Sequence, residues 1–283
     1  MNLNYFSNII IKYYYKFLQY LNILKLLPFF LLGIFNVNKG FTKYCKTNDD
    51  NIRIKYTNKF MNYFYIGLNF SVRNQIKILR NEKIELEKIT IINSNHLHPN
   101  DLFVLFHILG KNKIKGSQIS SISTSHNIND IDKKFLKLNE ACMVNNTKDD
   151  INSIINKFKY WNNRNYKTLL ITFFEGTSQF VTDNKSKKYN YILEPKKLGF
   201  NLCLKNNKSK FIYDLNIVYT NNNELIKPKD ENFLFLLFHP LTKIYVEIYK
   251  YKLPEYKNAS LWLDKLYQKK DQQINNIIKK NIG

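Results

Sequence analysis

The pattern of apolar and polar positions divides the chain into an apolar N-terminal stretch and a longer region with strand and helix grammar. Tyr5 to Phe35 is aromatic and aliphatic, interrupted by Asn8, Asn22, Lys12, Lys16 and Lys25. Within it, Leu26 to Phe35 is an unbroken apolar run that includes Pro28 and Gly33. A spanning helix needs roughly 20 mostly apolar residues, so the run is too short unless Gln19 to Ile23 is added. That addition puts Lys25 in mid-membrane, at a cost of about 2.5–3.5 kcal/mol. No small-x-small cleavage site follows, which argues against a signal peptide. The pattern predicts an amphipathic or re-entrant membrane anchor with Tyr and Lys at the interface; a buried core helix is the alternative. Asn36 to Asn51 is polar and reads as a loop.

Ile52 to Glu87 alternates apolar and basic residues and contains helix. From Lys88 the grammar is that of an α/β domain. Ile89–Asn93 is short, apolar and rich in Ile and Thr, the mark of a buried strand. A polar loop, Ser94–His98, leads through Pro99 into a helical run, Asp101–Leu109. Further strands are predicted at Ile119–Thr124, Asn139–Val144, Thr168–Phe174, Phe211–Thr220 and Lys243–Tyr251. Thr147 is placed to cap a helix over Lys148–Trp161, with Asp149 and Asp150 in its first turn, where the helix dipole favours them. Ser260–Lys280 reads as a Lys-rich terminal helix.

Composition adjusts this picture in two places. The 283 residues carry 44 Lys+Arg against 22 Asp+Glu, a formal net charge of +22. Such a charge attracts polyanions, either nucleic acid or an anionic bilayer. Only Arg53, Arg73, Arg80 and Arg164 are Arg; Asn, Ile, Tyr and Phe abound and Ala is rare. That profile matches A/T-rich codons, so much of the Lys excess is compositional. Zinc-finger, RNP-like and basic-zipper patterns are absent, which argues against nucleic acid as the partner. Three widely spaced Cys (Cys45, Cys142, Cys203) exclude a disulfide scaffold and a CxxC metal cluster and fit a reducing compartment.

Two constellations carry chemistry. In Asn95-His96-Leu97-His98-Pro99-Asn100-Asp101, a His and an Asp five apart would sit about 140° apart on one helix. Pro99 changes that: proline favours the first helical turn and discourages helix before it. His96 is then in an extended loop, and Asp101, in the first helical turn, can reach back to it. A carboxylate on one imidazole nitrogen fixes the tautomer and leaves the other free as a general base. No Ser or Cys nucleophile stands beside the pair, so the substrate must supply the proton. His98 suits a helix-cap role and His107 a satisfied core position; His126 and His239 have no local constellation. The second constellation, Thr172-Phe173-Phe174-Glu175-Gly176-Thr177-Ser178, ends the best strand in an acidic-Gly-Thr turn, where α/β domains place sites.

In this order and at this spacing, the two elements resemble the His-x4-Asp and Phe-Pro-Glu-Gly-Thr motifs of the glycerolipid acyltransferases, the 1-acylglycerol-3-phosphate acyltransferase family. Tyr191 to Phe200, with Pro195, Lys196, Lys197, Gly199 and Phe200, resembles a fourth block, and Trp262-Leu263-Asp264-Lys265 a C-terminal Trp-Leu helix. The pattern is most similar to the lysocardiolipin and lysophospholipid acyltransferase branch and covers roughly Lys88 to Gln273. The resemblance implies an α/β fold, a mixed sheet flanked by helices, with a membrane-associated segment over residues 1–50 and an acyltransferase domain over 51–283. It implies transfer of an acyl chain from acyl-CoA, a co-substrate and not a cofactor, to the glycerol hydroxyl of a lysophospholipid. His96 would be the general base and Asp101 its orienting partner. Glu175, Gly176, Thr177, Pro195, Lys196 and Lys197 would bind substrate, with no metal. The implied setting is an intracellular membrane, of the endoplasmic-reticulum or mitochondrial kind. Phe174 stands where the family has Pro, Ser178 where many members have Arg, and the Arg usual in the second block falls near Asn145, with only Lys148 as a nearby cation. A weakened or inactive lipid-binding homologue is therefore the rival reading.

Overall fold

The computed structural model describes residues 3–98, 100–124, 130–145, 147, 149–176, 188–221, 224–226 and 242–281. Within them the chain is a three-layer α/β structure. The sheet is built from β1 (Ile76–Asn81), β2 (Ile89–Ser94), β3 (Ile119–Thr124), β4 (Cys142–Val144), β5 (Thr168–Thr172), β6 (Phe211–Asn221), β7 (Glu224–Leu225) and β8 (Lys243–Lys252). Its order is β1-β8-β6-β2-β5-β3-β4, with β7 hairpinned onto β6. Strands β6, β2, β5, β3 and β4 run parallel, whereas β8 is antiparallel to β6 and parallel to β1. The sheet is therefore mixed, as the family resemblance implies. Strands β2 and β5 are buried at every position, which is why they read as continuous apolar runs and not as alternating ones.

One face of the sheet is covered by α1 (Leu3–Thr47), α2 (Asp50–Ser71), α3 (Asp101–Lys111) and α4 (Asp130–Leu138). The other is covered by α5 (Asp150–Asn163), α6 (Lys197–Asn206) and α7 (Ala259–Asn281). Trp161, Phe158 and Phe200 fill the second layer, and Phe64, Leu68 and Val104 the first.

The N-terminal region departs from expectation. Asn36 to Thr47 is not a loop but continues α1, and Pro28 lies inside that helix. Polar residues are accommodated there because their side chains bond back to the helix: Asn36 Nδ2 donates to Leu32 O at 2.7 Å and Thr42 Oγ1 to Asn38 O at 3.0 Å. Contact with α2 supplies the rest. Glycines bring the two helices close: a side chain at Gly40 would meet Tyr56, and one at Gly67 would meet Leu26 and Phe29. Leu26 and Val37 thus enter the main core. On the opposite side of α1, Leu24, Leu27, Leu31 and Phe35 remain exposed, with Lys25 among them. Tyr20–Thr47 is long and apolar enough to cross a membrane.

Smaller differences follow the same logic. The helix expected at Lys148 begins at Asp150, and no side chain caps it. Asp150 instead turns its carboxylate back onto the backbone N–H groups of Asn145 and Thr147, at 3.0 and 2.8 Å; Thr147 is therefore not the cap. The edge strand β1 and the helices α4 and α6 have no counterpart in the apolar pattern, because each is short and half exposed.

Candidate active site

The site forms at the carboxyl end of β2. Asn95, fully buried, holds the departing chain to β6: its Nδ2 donates to Ile217 O at 2.9 Å, and its Oδ1 accepts from Ile217 N at 2.8 Å. The next residue, His96, is partly exposed. Asp101, in the first turn of α3, is buried. Its Oδ2 accepts from His96 Nδ1 at 3.0 Å and from the backbone N–H groups of Leu97 at 2.7 Å and His98 at 2.9 Å. Its Oδ1 accepts the Tyr219 hydroxyl at 2.7 Å. The carboxylate faces donors only, so His96 carries its proton on Nδ1 and presents Nε2 as a lone pair. Nε2 has no hydrogen-bond partner among the described residues. The turn geometry expected from Pro99 holds on both sides of it, although Pro99 itself lies outside the described residues.

The other histidines sort by environment. His98 is buried against the start of α3, where its Nδ1 faces the Asn100 N–H at 3.1 Å, in keeping with a capping role. His107 is a core residue, but it is not satisfied: neither ring nitrogen has a hydrogen-bond partner, and burial pushes the imidazole down to about 4. His126 and His239 lie outside the described residues.

The second constellation meets the first directly. Phe173, just past β5, stacks on the His96 ring with centroids 4.1 Å apart and planes 23° apart. Glu175 is buried with both carboxyl oxygens lacking a hydrogen bond. Desolvation pushes its carboxyl well above the usual range, opposed by the Lys270 charge and by the nearby backbone amides of His96 and Leu193. Gly176 takes φ +73°, a conformation that glycine tolerates. Lys196 lies across this glycine, leaving no room for a side chain there, and its N–H donates to Phe174 O at 2.6 Å. Pro195 is buried and Lys196 exposed. Lys197 is not a free cation: its Nζ lies 2.7 Å from Asp264, which also holds Lys188 at 3.3 Å. Trp262 stacks flat on Phe200 at 5.5 Å. The fourth block and the C-terminal Trp-Leu helix are thus neighbours in space. Thr177, Ser178 and Lys148 lie outside the described residues.

Tyr219 and Asn95 were not legible as site residues. Tyr219 comes from a strand more than a hundred positions away, and nothing local marks it. An apolar recess bounded by Leu97, Ile217, Val218, Leu225 and Ile274 adjoins the His96 loop. No protein-family model and no curated protein matches the sequence. In structure the chain is similar to the 1-acyl-sn-glycerophosphate (LPA) acyltransferase PlsC from Thermotoga maritima, with a TM-score of 0.51 and 12% identity, over 90% of this chain and 96% of that one. The chain has the fold of PlsC. At this identity the likeness is one of architecture, a mixed sheet between helical layers, covering nearly the whole of both chains.

The PlsC-like fold accounts for where the two constellations converge, since parallel strands β2 and β5 are adjacent and end on the same edge. It leaves the chemistry of the edge to the individual residues. Three of the four Arg are engaged in ion pairs with other residues. Arg53 and Arg164 both bind the buried Glu140, and Arg80 pairs with Glu82 at 2.6 Å.

Proposed function

We propose that the chain is an acyl-CoA-dependent acyltransferase that moves a fatty acyl chain to the free glycerol hydroxyl of a lysophospholipid. The observation that carries this reading is the His96 Nδ1 to Asp101 Oδ2 contact at 3.0 Å, which leaves Nε2, at the carboxyl end of the sheet, without a hydrogen-bond partner or a neighbouring nucleophile among the described residues. The PlsC fold and the sequence resemblance support the substrate class. In the proposed reaction the lipid hydroxyl gives its proton to His96 Nε2, and its oxygen attacks the thioester carbon. The new C–O ester bond forms as the C–S bond breaks, and the proton passes to the departing CoA sulfur. General-base assistance of this kind is worth about 10²–10⁴-fold, with the remainder from holding both substrates together. Asp101 orients and stabilises the imidazolium. Lys196, exposed over Gly176, is the candidate cation for the acceptor phosphate, because Lys197 is held by Asp264. The exposed apolar side of α1 suits a membrane surface where both amphipathic substrates reside.

The rival is an inactive lipid-binding homologue, favoured by the lack of an Arg near Asn145 in the sequence. Membranes containing the full chain, given labelled oleoyl-CoA and a panel of lysophospholipids, separate the two. Headgroup-dependent acyl transfer that His96→Ala abolishes, in a variant that remains folded, supports the enzyme. Lipid binding without CoA release sinks it and leaves the rival.

A further inference from the structure

Beneath the site lies a polar group of residues that the proposed chemistry does not use. Lys270 of α7 is fully buried, as is Asp214 of β6. Lys270 Nζ donates to Asp214 Oδ1 at 2.9 Å and to Leu215 O at 2.6 Å. The same Asp214 oxygen accepts from Asn93 Nδ2 at 2.6 Å, and Asn93 Oδ1 accepts the backbone N–H of Phe174 at 3.1 Å. A proline at position 174 would have no N–H to give, so this last bond depends on the residue in which the chain departs from the motif it resembles.

The chain of bonds runs from the C-terminal helix, through the two central strands, to the turn whose Phe173 ring stacks on His96. A buried ion pair is a poor source of net stability, because desolvation offsets most of its Coulomb energy. A buried hydrogen-bonded network does, however, fix geometry, and this one, although Asp214 Oδ2 has no hydrogen-bond partner, ends on the backbone amide adjoining a ring in contact with the proposed base. The titratable neighbours are Asp214, Glu175, Tyr267 and, further off, Asp101. Burial pushes the Glu175 carboxyl well above the usual carboxylate range, and Lys270 is ion-paired with Asp214 at 2.9 Å.

We propose that Lys270, Asp214 and Asn93 are positioning residues through which helix α7 sets the Phe173–Gly176 turn and, by way of Phe173, the imidazole of His96. The inference rests on the reading of His96 as the general base, but its test does not require turnover. In the full-length chain, labelled at histidine and held in nanodiscs, the His96 ring signal is assigned by its loss in His96→Ala. The stacked Phe173 shields it. Asn93→Leu removes the bond to the Phe174 amide without changing any charge, and Lys270→Met leaves Asp214 unpaired. Both are expected to move the His96 signal downfield and to lower kcat about tenfold or more, as small misplacements at a reacting group do, with KM for acyl-CoA changed little. The double variant Lys270→Met with Asp214→Asn is neutral and keeps an acceptor for Asn93, and it is expected to return the signal towards wild type. Asn93→Leu carries the test alone if Lys270→Met does not fold. A His96 signal that superposes on wild type in folded Asn93→Leu overturns the proposal. Absence of transfer in wild type overturns the acyltransferase reading while the spectroscopic result still decides this one.

Discussion

Asp101 holds four donors at once, and each restrains a different piece of structure: the His96 ring, the Leu97 and His98 amides, and the Tyr219 hydroxyl. Tyr219→Phe removes one of them and leaves a buried carboxylate oxygen bare, a loss worth about 1–3 kcal/mol. We expect kcat to fall several-fold with KM nearly unchanged, and steady-state kinetics of the folded variant check this; an unaltered kcat would remove Tyr219 from the machinery. His107 gives a prediction of the opposite kind. Its folded-state pKa is about 4 against an ordinary value of 6.5, lowered first by burial and then by the charges of Lys111 and Arg73. Above pH 6.5 the ring is neutral whether folded or unfolded. As pH falls from 6.5 to 4, the unfolded chain takes up the proton and the folded chain does not, so stability drops, by an amount of order 3 kcal/mol. Urea midpoints measured across that range should flatten in His107→Leu, and a parallel pH dependence would refute the assignment. The His96–Asp101 pair was legible because proline grammar acts over a few residues. Tyr219 was not, because a partner delivered by another strand leaves no mark beside the residue it serves.

At the level of elements, the molecule is tied together by a buried cluster around Glu140, which sits between α4 and β4 at φ +55°. Arg53 from α2 reaches it at 3.3 Å, and Arg164, at the end of α5, binds the same carboxylate oxygen. Tyr166 donates to that oxygen as well, and Tyr160 to the other carboxylate oxygen, Oε1. Half of the chain's Arg residues are therefore spent on joining the N-terminal hairpin to the sheet. Glu140→Gln leaves two buried guanidinium groups short of a counter-charge, although Arg53 retains Asp50 at 3.1 Å. Loss of about 3–5 kcal/mol is expected, read from the denaturation midpoint; a shift within error would mean that the tyrosines and Asp50 suffice. The sequence offered no hint of this cluster. It showed the scarcity of Arg but not where Arg was used, since burial of a charge is decided by neighbours far along the chain.

Across the whole molecule, the exposed residues Leu24, Leu27, Leu31 and Phe35 of α1 repeat at helical spacing, while Leu26 and Val37 on the other side enter the core. The helix is thus divided: one side packs into the core, as a core helix would, and the other is an exposed apolar face, the side a membrane anchor would need. Replacing Leu24, Leu27 and Leu31 together by Glu is expected to shift the protein off anionic vesicles in a flotation assay with its circular dichroism unchanged. Equal flotation would disqualify this face as the membrane contact. The sequence by itself determined the strands β2, β5, β6 and β8, the loop-to-helix turn that brings His96 to Asp101, and the glycine turn after β5. These depend on periodicity, proline and glycine, which act through the local backbone. Only the tertiary structure decided that Asn36 to Thr47 is helix, that Lys197 is paired while Lys196 is exposed, and that Lys270 lies buried beneath the site. Each of these depends on what packs against a residue, and desolvation and pairing by distant elements overrule any preference the residue carries alone.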